Sequence, residues 1–256
     1  MADSPAKRHL VRARAAQAAA AAASDQLMDG TSIYEQTMLQ LANDKGRLKN
    51  IQSNAGKAVL KTELLPTYDA YIDGVLQAGR GATDVVVSTL MLWHIDAGSF
   101  ARALQIADYV IAHKLPMPDS FQRTTGCVIA EEIAEAALIA QRTGASFDLE
   151  VLDRAQQLTQ AEDMPDQVRA KLLLAKARGW LATGSKEDPP PYPVVQQAVD
   201  DLRAAITWDQ ACGGKKDLEN AERLLKKLAE SLPPASTEDV AATGDAPSGA
   251  DSNDNA

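Results

Sequence analysis

Lys7, Arg8, Arg12 and Arg14 crowd the first fourteen residues of the chain. Cations at that density neutralise several anionic groups at once, so their natural chemistry is the binding of a polyanion. Lys45, Arg47 and Lys49 form a second basic group. They close a helical pattern, where cations also complement the macrodipole, so a structural role accounts for them equally well. The acidic candidates are Glu131, Glu132 and Glu135, and Glu162, Asp163 and Asp166. Two-metal phosphodiester cleavage needs carboxylates converging on cations about 4 Å apart. No strand pattern adjoins either cluster to hold them so, and solvated helix faces explain both. His9, His94 and His113 never fall at the three- or four-residue spacing that puts two imidazoles on one metal. Trp93-His94 reads as a partly buried helix whose polar tip is satisfied. No phosphate-cradling Gly-x-x-x-x-Gly-Lys-Ser/Thr run occurs, and no nucleophile stands beside a base. No catalytic residue is therefore assigned and no metal ligand is expected. On residues alone, binding is favoured over catalysis.

The elements that must position these groups are helices. Of 256 residues 45% are hydrophobic but only 4% aromatic, so the core must be built from Ala, Leu, Val and Ile. Alanine loses no side-chain entropy in a helix, whereas sheets favour the aromatic and β-branched types. The expected class is all-α, with helical hairpins packed into a bundle. Two cysteines, Cys127 and Cys212, make no disulfide framework or CxxC metal spacing and suit a reducing cytoplasm. No apolar run is long enough to span a bilayer. The net charge of −9 is unevenly spread: residues 1–62 hold nine Lys/Arg against five Asp/Glu, and residues 63–256 hold seventeen against thirty. A basic leader thus precedes an acidic body.

Five segments follow. Residues 1–30 are an Ala-rich basic arm, with Ser4 as N-cap and Pro5 at the first helical position. The helix from Pro5 shows no amphipathic stripe and is expected to be flexible. Residues 31–184 are the helical core. Gly30 marks a break and Ser32 with Glu35 opens a helix reaching about Asn54. Pro66 begins another that ends at Gly79, Thr83 caps a third, and Ser99 caps a fourth. Thr125 to Thr143 reads as a further helix closed by Gly144, Asp148 caps another reaching about Thr159, and Pro165 sits in the first turn of one that continues to Thr183. Ala103, Ala107 and Val110, and again Ala198, Leu202 and Ala205, have a tetratricopeptide-like rhythm, although two such helices make no repeat array. Residues 185–193 are a proline-rich linker, 194–232 a C-terminal hairpin, and 233–256 an acidic tail expected to be disordered.

The order of IYEQTMLQLANDKGRLKNI, ELLP, MLWHIDAGSFARAL, LPMP and DMPDQVRAK resembles the small terminase of contractile-tailed temperate phages, the gpM-type terminase endonuclease subunit. The likeness runs over residues 4–230. It implies a subunit that binds double-stranded phage DNA and acts with a large ATPase subunit in cutting and packaging the genome, in the bacterial host cytoplasm. It also implies assembly into a homo-oligomer, with DNA recognition toward the N-terminus, which suits Lys7, Arg8, Arg12 and Arg14, helped by Lys45, Arg47 and Lys49. It brings no catalytic residues. The alternative, drawn from the family's endonuclease label, is a nuclease using a divalent metal, with Glu131, Glu132, Glu135 or Asp166 as its acidic groups. Otherwise no cofactor is expected. Family members tend to end in a basic tail, whereas this chain ends EDVAATGDAPSGADSNDNA, which puts the weight of DNA binding on the N-terminal residues.

Overall fold

The computed structural model describes residues 4–22, 32–118, 123–185 and 187–231. The expected Gly30 break and the 233–256 tail lie outside them. Among the described residues eleven α-helices form and no strand does: α1 (Pro5–Ala21), α2 (Ser32–Lys49), α3 (Asn54–Leu64), α4 (Asp69–Ala78), α5 (Val85–Asp96), α6 (Phe100–Ala112), α7 (Thr125–Arg142), α8 (Leu149–Thr159), α9 (Asp166–Leu181), α10 (Tyr192–Trp208) and α11 (Lys215–Ser231). The all-α reading holds. Helices α5 and α6, α9 and α10, and α10 and α11 pack as hairpins; the tetratricopeptide-like spacing is accounted for by that packing, and no tetratricopeptide repeat is shown.

Local chemistry sets most boundaries. Ser4 caps α1 by accepting from the Lys7 N–H at 3.3 Å, and Asp148 caps α8 by accepting from Glu150 N–H at 2.9 Å. Helix α3 went unread because nothing stronger than Asn50-Ile51-Gln52 separates it from α2. Ser53 starts it, accepting from the Gly56 N–H. Pro66 accordingly sits in a 3₁₀ turn, Leu65–Thr67, and not at a helix start. The cap of α5 is Asp84 rather than Thr83: its Oδ1 accepts from the N–H groups of Val86 and Val87 at 2.8 and 3.2 Å.

Helix α1 departs from expectation. It lies along α4 and buries Ala15, Ala18 and Ala19. A narrow strip of methyl groups replaces the missing apolar stripe, because α4 offers a glycine: a Cβ at Gly74 would stand 2.3 Å from the Arg12 carbonyl oxygen and 2.8 Å from the Ala15 Cβ. The two backbones approach closely because both contact surfaces are small. The basic helix is docked, and the notion that it has nothing to bury is corrected.

The main core gathers α1 to α9 around α5, whose residues Val86 to Ile95 are all buried. Tyr68 meets Trp93 edge to face at 6.3 Å. Helix α9 buries residues on more than one side. Val168, Leu172 and Ala175 join the main core, while Leu174 and Ala177 pack with Ala198, Val199 and Leu202 of α10. Between α9 and α10 the chain turns through Ser185, whose N–H donates to the Asp188 carbonyl at 2.7 Å.

Candidate nucleic-acid interface

Docking α1 on α4 fixes where the first basic group points. Lys7, Arg8, Arg12 and Arg14 are all exposed, but not on one side: Arg8 and Arg12 lie in line with Ala15 and Ala19 along the edge of the α4 contact, and Lys7 and Arg14 lie together on another side of the helix. The face is not uniformly cationic. Arg8 and Arg12 share a shallow cleft with Asp69 and Asp73 of α4, two carboxylates one helical turn apart. Burial raises the Asp69 carboxyl above its ordinary range, against the pull of Arg102. At the other end of α1, Arg14 lies near Ser32 and Ile33, where α2 begins.

The second basic group divides. Lys49 is exposed at the end of α2, and Lys45 is half-buried. Arg47 is tied down: it pairs with Asp44 at 3.0 Å, and the same buried carboxylate accepts from the Tyr68 hydroxyl at 2.7 Å. Its charge therefore balances Asp44, and the structural account of Arg47 is the one with contacts behind it. Arg8 lines a groove with Leu65 and Pro66, and Gln40 of α2 donates to Thr67 at 3.0 Å.

That groove, about 550 Å³, is the roomier of the two beside α1. Asp69 and Asp73 form one wall; His94 of α5, Ser99 and Arg102 of α6 form another. Arg102 pairs with Asp73 and donates to Gln105. His94 is only 4% exposed, yet neither ring nitrogen has a hydrogen-bond partner. This corrects the reading of a satisfied polar tip. Burial, with Arg102 adding to it, lowers His94 to about 4, so the ring is neutral at physiological pH. Sequence reasoning missed Arg102, Asp69 and Asp73 as a set because they come from different helices. The one available signal was that His94 and Arg102 bracket the Gly98-Ser99 turn.

The acidic candidates are not gathered into one metal-holding group among the described residues. Glu131 pairs with Arg123 and stands 4.0 Å from Lys171. Glu132 is raised by burial and by the nearby Asp96 and Glu135. Asp166 begins α9. Among the described residues no three His, Cys, Asp or Glu side chains are grouped to hold a metal. Nor is any helix of the described residues long and apolar enough to cross a membrane.

Comparison with known proteins bears on the whole chain. The model of the phage small terminase subunit family matches residues 38–167. The "Terminase, endonuclease subunit" of Escherichia phage P2 is 38% identical over 234 residues, covering 91% of this chain and 90% of that protein. No solved structure matches.

Proposed function

The chain belongs to the phage small terminase subunit family, and from that premise we propose that it binds double-stranded phage DNA and acts with the large ATPase subunit in cutting and packaging the genome. The observation that carries the DNA-binding part is the docked α1, which holds Lys7, Arg8, Arg12 and Arg14 on one exposed, fixed helix of an otherwise acidic protein. Lys45 and Lys49 extend the surface. Arg47 contributes less, because Asp44 already engages it. Work in the host cytoplasm, as a homo-oligomer, completes the reading. DNA retention requires no cofactor.

Neutralising about four to six phosphates makes log affinity fall with log salt at a slope of roughly −4 to −5. Retention of duplex DNA measured over a salt series tests this. Alanine at Lys7, Arg8, Arg12 and Arg14 together should weaken binding on all sequences alike, since phosphate contacts position without specifying. A flat salt response, or full retention by that variant, ends the reading.

A second reading, that the chain itself cuts DNA with a divalent metal, is favoured by the printed name of the phage P2 relative. It predicts Mg²⁺- or Mn²⁺-dependent cleavage by the isolated subunit, lost on changing Glu131, Glu132, Glu135 or Asp166. Intact DNA with this subunit alone, and cleavage once the large subunit is added, would place the cut in the partner.

A further inference from the structure

The groove beside α1 gathers donors of which its own protein engages only part, Arg102 being paired with Asp73 and Gln105. Helix α6, thirteen residues long, begins at Phe100 with Ser99 in the N-cap position, yet no side chain accepts from its first turn. The N–H groups at such a terminus point outward and favour an anion. Arg102 stands in the same first turn, and Arg8 reaches the groove from α1. The independent sign of a ligand is His94. A ring this deeply buried with both nitrogens unpartnered forfeits hydrogen bonds that water would give, a cost native structures rarely leave unanswered.

We propose that this groove is a phosphate site, in which one oxyanion is held by the α6 N-terminus, the Arg102 and Arg8 guanidiniums and, once the enclosed ring turns toward the groove, an N–H of His94, and that the phosphate belongs to the backbone of bound duplex DNA. Two carboxylates oppose an anion here. Asp73 is offset by its pairing with Arg102. Asp69 is raised by burial, which weakens its hold on a negative charge. The neutral state of His94 fits its part, since a neutral imidazole offers one N–H donor. For the source of its phosphate the inference rests on the DNA-binding reading; the chemistry of the site does not.

The test follows the His94 ring resonances in the full-length protein labelled with ¹⁵N-histidine, assigned with His94→Gln and titrated separately with inorganic phosphate and with a duplex. Both ligands should shift His94 saturably. Arg102→Gln should abolish the shift, lower duplex affinity about tenfold and reduce the salt slope by about 1. His94→Gln should lower affinity and leave the slope unchanged, because it removes no charge. If neither ligand moves His94, the site is overturned. If phosphate moves it and a retained duplex does not, the assignment to DNA is overturned in favour of free phosphate. If no duplex is retained at all while phosphate still shifts His94, the DNA-binding reading fails and the phosphate site stands. The wild-type titrations decide between these outcomes even if a variant fails to fold.

Discussion

Gly74 of α4 lies directly against the backbone of Arg12 in α1, so close that a methyl group at residue 74 would meet the Arg12 carbonyl oxygen at 2.3 Å. This close approach lets the basic helix settle on the body and bury Ala15, Ala18 and Ala19. Gly74→Ala tests it by sign. A glycine inside an unencumbered helix is improved by alanine by about 1 kcal/mol. Here the added carbon must push two backbones apart, and overpacking of that kind costs about 1–3 kcal/mol. Urea denaturation should show a net loss of stability, and duplex retention should weaken with it. A gain of stability would mean that α1 does not rest on α4.

Two buried titratable groups tilt stability in opposite directions. Asp84 is fully buried and raised from 3.8 to about 6 despite accepting from Tyr71, Val86 and Val87. Its native form binds a proton more readily than its unfolded form, so its contribution favours folding more as pH falls from about 6 to about 4. His94, lowered from 6.5 to about 4, does the reverse: the unfolded form takes the proton first, and stability is lost as pH falls from about 6.5 to about 4. Melting His94→Gln beside wild type at pH 7 and pH 4.5 should show the variant gaining relative to wild type on acidification. Asp84→Asn should show the opposite drift. Each difference should be on the order of 2 kcal/mol.

Lys176 is buried between α8 and α10. It pairs with Asp153 at 3.0 Å, approaches Asp201 at 3.6 Å and donates to Gln156 at 2.7 Å. Asp201 is itself buried and raised by that burial, with Lys176 the main influence restraining it. Lys176→Met should cost about 3–5 kcal/mol by stranding Asp201. The double variant Lys176→Met with Asp201→Leu should recover most of the loss in chemical denaturation, a coupling that independent sites would not show.

Tyr68 and Arg47 serve the same carboxylate unequally. Tyr68→Phe removes a buried donor from Asp44 and should cost about 1–3 kcal/mol. Arg47→Ala removes a half-exposed ion pair and should cost under about 1 kcal/mol. It should also weaken duplex retention less than Lys49→Ala, because Asp44 already engages Arg47. Equal effects on DNA would mean that Asp44 does not hold Arg47 back.

Much of the fold was legible because helix punctuation is local. Ser4, Gly79, Gly98, Asp148 and the glycines after Cys212 mark ends that can be read within four residues. Helix α3 was missed where a break lacked both glycine and proline. The docking of α1 was missed for a different reason. An interface of alanine against glycine has no hydrophobic stripe, and Gly74 reveals its purpose only when another backbone is seen 58 to 62 residues away in sequence. The candidate site behaves similarly. The exposed cations of α1 could be named from composition. The groove joining Arg8, Asp69, His94 and Arg102 needs four helices to be placed first, and no spacing along the chain records that.

Helix α9 is gripped on two sides, by the main core along Val168, Leu172 and Ala175 and by α10 along Leu174 and Ala177. A rod so clamped cannot roll without disturbing both of its housings at once. Helix α9 thus ties the final hairpin to α7 and α8, against which it also packs.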